Sequence, residues 1–134
     1  MRELEIGSDG VLFSVTQAGT EAFFVPVIPK AAAQALTGAG AINVTSYYTA
    51  VTSASGPNAL TLADGTVKGQ LKKVQLIVDD GGAALTIASP VSSSLDVVTF
   101  ADAGDFVLLL WNGDAWSIIE AGNDADGATA PAVA

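Results

Sequence analysis

Residues 105–120, Asp-Phe-Val-Leu-Leu-Leu-Trp-Asn-Gly-Asp-Ala-Trp-Ser-Ile-Ile-Glu, constrain the fold more than any other stretch of the chain. Asn112-Gly113 predicts a two-residue hairpin turn, because both central residues of a type I′ turn need φ > 0, which glycine adopts freely and asparagine tolerates. The strand before it, Phe106–Trp111, is apolar at six consecutive positions. A strand of that kind is covered on both faces, whereas a half-buried strand alternates. In the predicted register Trp111 lies opposite Asp114 and Leu109 opposite Trp116. Both indoles then share one face with Val107 and Ile118, while Phe106, Leu108 and Leu110 occupy the other.

The rest of the chain reads as short strands separated by turns. Leu4–Ile6, Val11–Val15 and Ala22–Ile28 are apolar patches joined by polar, glycine-containing segments. In Phe23-Phe24-Val25-Pro26-Val27-Ile28-Pro29 each proline removes a ladder donor, which predicts an edge strand or an extended arm. Lys30–Leu36 has helical composition, with Gly38 and Gly40 suited to ending it, so one short helix is expected there. From Ala41 onward, strands are predicted at 42–51, 59–62, 71–78, 83–88, 95–100 and 106–120, the segment 83–88 folding back on 71–78 as a hairpin. Turn signals every eight to twelve residues indicate an all-β protein: an antiparallel β-sandwich or jelly-roll-like body with an extended N-terminal arm and at most one short helix. The expected organisation is an arm with the helix at 1–40, a body at 41–121 and a tail at 122–134. That Gly-, Ala- and Pro-rich tail has the composition of a loose end and is expected to be held by a neighbouring chain.

With 134 residues the chain has room for one core. Half of its residues are hydrophobic and only 14% are charged, which is sparse for the surface of a free monomer and suggests that apolar surface meets other protein. The formal charge is -9, with five basic residues scattered apart from Lys72-Lys73, so binding to a phosphate backbone is not expected. There is no cysteine and no histidine, which removes thiolate and imidazole ligands and the commonest nucleophile-base pairs. Acidic residues near the amino terminus stand where a signal peptide would be apolar, and no run reaches membrane-span length. The expectation is a soluble protein made in the cytoplasm, with no membrane partner.

The groups capable of chemistry have simpler readings. Asp79 with Asp80, and Asp102 with Asp105, resemble paired carboxylates, but each pair flanks glycine in a predicted turn, where Asp bonds to nearby amides. Asn123-Asp124-Ala125-Asp126-Gly127 matches the start of a calcium loop and lacks its terminal acidic ligand. A serine nucleophile would need a lysine base, yet Lys72 and Lys73 point to opposite faces of one strand and no Gly-x-Ser-x-Gly turn accompanies them. Phosphate-binding glycine loops are missing. Trp111, Trp116 and the Tyr47-Tyr48 pair would serve as a sugar-stacking platform only if the indoles were exposed, and their apolar company favours core or subunit interface. No catalytic residue, metal site or cofactor is expected.

The blocks Ala59-Leu60-Thr61-Leu62-Ala63-Asp64-Gly65, Gly69-Gln70-Leu71-Lys72-Lys73-Val74, Asp80-Gly81-Gly82, Val98–Asp105 and Trp111-Asn112-Gly113-Asp114-Ala115-Trp116 resemble a β-rich module of small virion proteins of tailed bacteriophages, the capsid decoration (cement) proteins and the bases of head or tail fibres. The resemblance spans residues 41–121 and is one of rhythm and composition. It implies a non-enzymatic role on the capsid exterior of a virion, usually as a trimer, with the major capsid protein as partner. Phe23, Phe24, Val25, Val27 and Ile28 are then the candidates for capsid docking through the arm. Leu108, Leu110, Trp111 and Trp116 are the candidates for the subunit interface. A head or tail fibre, or a carbohydrate-binding adhesion module, is the alternative.

Overall fold

The computed structural model describes residues 4–6, 12–14, 31–127 and 129–134. The docking candidates Phe23, Phe24, Val25, Val27 and Ile28 lie outside these residues. Of the expected arm, β1 (Leu4–Ile6) and β2 (Leu12–Ser14) are described, paired antiparallel as a separate two-stranded sheet.

Ten further strands form two five-stranded sheets: β3 (Gln34–Thr37), β4 (Gly40–Ile42), β5 (Tyr48–Thr52), β6 (Asn58–Leu62), β7 (Leu71–Val78), β8 (Ala83–Ile87), β9 (Val97–Phe100), β10 (Asp105–Trp111), β11 (Trp116–Asn123) and β12 (Ala132–Val133). The first sheet has the order β11-β10-β7-β5-β3 and the second β12-β9-β8-β6-β4. The protein is thus the all-β sandwich that the turn rhythm predicts, with mixed instead of purely antiparallel pairing. From β3 to β8 successive strands alternate between the sheets, and from β5 to β8 each lies parallel to the strand two positions before it. The chain therefore winds through three flattened coils, β3-β4, β5-β6 and β7-β8. Strands β9 to β12 then complete both sheets with antiparallel pairs.

Parallel register stacks like side chains in files along the interior. Ile42, Leu62 and Ile87 form one file, Leu60, Leu85 and Val98 a second, and Leu36, Val51 and Leu76 a third. With Val74, Phe100, Val107, Leu109, Trp111 and Trp116 they make one continuous core between the sheets. Each fully buried aliphatic side chain there contributes about 1.5–3 kcal/mol.

Four expectations are corrected. Gln34–Thr37 is a strand and not the end of a helix, because pairing with β5 gives those residues a ladder and a half-buried face that two helical turns would lack. β7 and β8 do not form a hairpin; Asp79–Gly82 carries the chain from one sheet to the other. That corner rests on the corner of the preceding coil, where Gly56 N donates to Asp80 O at 2.8 Å and Asn58 N to Gly82 O at 3.1 Å. A Cβ on Gly56 would collide with the Gly81 and Gly82 carbonyl groups, so the stacking of corners requires glycine. Finally, the end of the tail is held by its own sandwich: β12 pairs with β9, Pro131 is buried, and Ala134 exchanges backbone bonds with Val97 at 2.8 and 3.0 Å. β3 and β4 likewise belong to the body, which begins before residue 41.

Candidate functional site

The hairpin of β10 and β11 forms with a register different from the expected one. Asn112–Ala115 make a four-residue loop in which Asn112 Oδ1 accepts from Asp114 N and Ala115 N, both at 2.9 Å, and Gly113 sits at φ +107°. Trp111 therefore faces Trp116 directly, with Leu109 opposite Ile118. The indoles lie 5.4 Å apart at 59°, Trp116 Nε1 donates to Ala63 O at 2.9 Å, and both rings are buried. Their surface is spent inside their own chain. Trp111 and Trp116 are core residues and offer nothing to a subunit interface or to a sugar.

Leu108 and Leu110 do face outward. The outer side of the first sheet places Leu110 beside Leu71, Leu108 beside Lys73 and Phe106 beside Gln75. These apolar side chains are half-buried by their neighbours alone, apart from the buried Phe106. Ile77 on β7 and Ile119 at the bulge in β11 are about half exposed, at 47% and 53%. A polar margin flanks the leucines. The Lys73 ammonium stands 4.4 Å from the Phe106 ring centroid and 2.9 Å from Asp124 Oδ2, Gln75 Nε2 donates to the same oxygen at 3.0 Å, and the Tyr48 hydroxyl donates to Gln75 Oε1 at 2.8 Å. The hydrogen bond from Lys73 holds the Asp124 carboxyl below its usual range, while burial pushes the Tyr48 phenol up. The result is an apolar strip with a fixed polar border.

Three of the four paired carboxylates serve the backbone. Asp79 Oδ1 accepts from Gly82 N at 2.7 Å and Asp80 Oδ2 from Ser55 N at 3.0 Å. The buried Asp105 ties Ala101 N, Asp102 N and Asn123 Nδ2 together. Asn123 Oδ1 accepts from Ala125 N and Asp126 N, which accounts for the calcium-like spelling as turn chemistry. Among the described residues no group of three acidic, histidine or cysteine side chains is placed to hold a metal, and no helix is long and apolar enough to cross a membrane.

One cluster escaped the sequence reading. Lys72 and Lys73 do point to opposite faces, and Lys72 points inward, fully buried. Its Nζ donates to Thr49 Oγ1 at 2.7 Å, Ser46 O at 3.0 Å and Ser46 Oγ at 3.1 Å. All three ammonium protons meet neutral acceptors, and burial lowers the pKa to about 8. The network continues outward: Thr49 Oγ1 donates to Gln34 Oε1 at 2.9 Å, Asn43 N donates to the same oxygen at 2.8 Å, and Gln34 Nε2 donates to Ala41 O at 3.0 Å. A lysine beside hydroxyls, set aside for want of a serine motif, is thus assembled from three separate strands and loops. Compared with known protein families, curated proteins and solved structures, the chain matches none of them.

Proposed function

We propose that this chain is a non-enzymatic structural protein of a tailed-phage virion, a capsid decoration (cement) protein that self-associates, as a trimer, and binds the major capsid protein on the capsid exterior. The observation that carries this reading is the outer face of the first sheet, where Leu71, Leu108 and Leu110 form an apolar strip inside a polar border. A strip of this kind suits a second copy of the chain, since association buries apolar area and the border fixes orientation. The resemblance of residues 41–121 to phage decoration modules supplies the setting. The mechanism is mass action: a protein that binds only the assembled shell stabilises the shell against its disassembled state. The fibre or carbohydrate-binding alternative would have to use the half-exposed Tyr47-Tyr48 pair, since both tryptophans are buried.

Two measurements test the proposal. Sedimentation of the purified protein is expected to show a trimer that Leu110→Asp converts to monomer while far-UV circular dichroism stays unchanged. An oligomer that persists in Leu110→Asp removes this strip as the interface. Quantitative mass spectrometry of particles is expected to find hundreds of copies per virion; a few to a few tens would place the protein in a fibre or tail instead.

A further inference from the structure

From the cluster under β3 we infer that this protein closes an intramolecular ester between Thr49 Oγ1 and Gln34 Cδ, releasing ammonia and stapling the first coil of the sandwich to the second. The inference does not rest on the virion reading. Thr49 and Gln34 are direct partners in the parallel pairing of β5 and β3, with both side chains on the inner face. A hydroxyl 2.9 Å from Oε1 stands within about 4 Å of the carboxamide carbon, since the C=O bond adds only ~1.2 Å. Attack from that position requires the Gln34 carboxamide to turn its carbon toward Thr49 Oγ1 and close to about 3–3.5 Å.

Each part of an acyl transfer is in place. Thr49 is the nucleophile; the Lys72 Nζ, which as an ammonium donates to the Thr49 hydroxyl at 2.7 Å, becomes the base once it has lost a proton. Lys72 has no carboxylate among its hydrogen-bond partners to hold its proton, and burial brings its pKa down to about 8, so the amine is available near neutral pH. Asn43 N, 2.8 Å from Oε1, is the amide that meets the negative charge developing on that oxygen. Ala41 O holds the leaving nitrogen at 3.0 Å.

The step balances without a co-reactant. Neutral Lys72 takes the Thr49 proton as Oγ1 bonds to Cδ. The tetrahedral oxyanion collapses, the bond from Cδ to Nε2 breaks, and Lys72 returns the proton to the departing nitrogen, which leaves as ammonia. Gln34 is half-exposed on the edge strand, so ammonia has a way out, while the buried base and nucleophile are kept from water. The reaction turns over once per chain.

The test is the intact mass of the full-length protein. Wild type is expected to weigh one ammonia less than its sequence, with tandem spectra of a proteolytic digest showing a branched peptide that joins Gln34 to Thr49. Thr49→Val and Gln34→Leu are expected at their full sequence masses, and hydroxylamine is expected to reopen the wild-type link. Wild type that keeps its full mass after incubation at about pH 9, where a lysine with the lowered pKa is largely neutral, overturns the inference. Ammonia loss that persists in Thr49→Val overturns it as well. The branched peptide joining Gln34 to Thr49 in the wild-type digest is the deciding signal, because Asn112-Gly113 can also lose ammonia by cyclising, and that signal does not depend on the variants folding.

Discussion

At the scale of single residues, Lys72 and Trp116 show how the interior sets measurable behaviour. An unfolded chain keeps the Lys72 proton up to about pH 10.5, and the folded chain keeps it only to about pH 8. Between those values the unfolded state binds the extra proton, so folding becomes more favourable as pH rises through that window. Below it the buried ammonium costs about 3 kcal/mol, from roughly 1.4 kcal/mol for each unit by which its pKa is lowered. Wild type should therefore gain about 3 kcal/mol more than Lys72→Met between pH 8 and 10.5, as urea unfolding followed by tryptophan fluorescence will measure. Trp116 is wedged between Trp111 and the loop at Ala63, and Trp116→Ala should cost about 3–5 kcal/mol in the same assay. An alanine at Gly65 would drive its Cβ into the Trp111 indole, so Gly65→Ala should cost about 1–3 kcal/mol although it adds only a methyl group.

At the scale of elements, the hairpin was legible in existence and in facing, though not in register. Asn112 turns its side chain onto Asp114 N and Ala115 N, which stretches the loop to four residues and moves each partner by two positions. A shift of two preserves the face, so the indoles still share a side with Leu109, as the sequence predicts. The bulge between Leu108 and Leu109 then leaves Ile119 without an opposite residue and turned outward, which alternation alone does not reveal. Asn112→Ala should remove both loop bonds and cost about 1 kcal/mol, and Gly113→Ala should cost a similar amount through strain at φ +107°. Thermal unfolding of the two variants will check both values. The segment at Gln34–Thr37 misled for another reason. Alanine and glutamine favour a helix locally, but parallel pairing with β5 gives that edge an apolar contact for Leu36 and a polar one for Gln34.

At the scale of the whole molecule, turn rhythm identified an all-β sandwich but not its winding, because strands separated by eight to twelve residues look the same whether they fold back or coil. A weak repeat carries part of the missing signal: Ala-Leu-Thr recurs at 59–61 and 84–86, while its copy at 35–37 falls in the other sheet. A spacing of about 25 residues is what successive coils require. In the second sheet Ala59, Leu60 and Thr61 do lie against Ala84, Leu85 and Thr86. The outward leucines were legible as a doubly apolar strand. The Lys72 cluster was not, since its members come from residues 34, 43, 46, 49 and 72, which only the coiling brings together. The outer face of the first sheet carries the proposed contact between copies of the chain. Each copy carries a formal charge of -9, so copies joined through the strip of Leu71, Leu108 and Leu110 repel one another at long range while their apolar contact is insensitive to screening. Raising sodium chloride from about 0.02 M to about 0.5 M shortens the screening length from roughly 20 Å to roughly 4 Å. The proposed self-association should then tighten severalfold, measured by sedimentation equilibrium. Weakening with salt would instead identify an ionic contact, made by the Lys73 and Asp124 border, and would displace the leucine strip as the source of affinity.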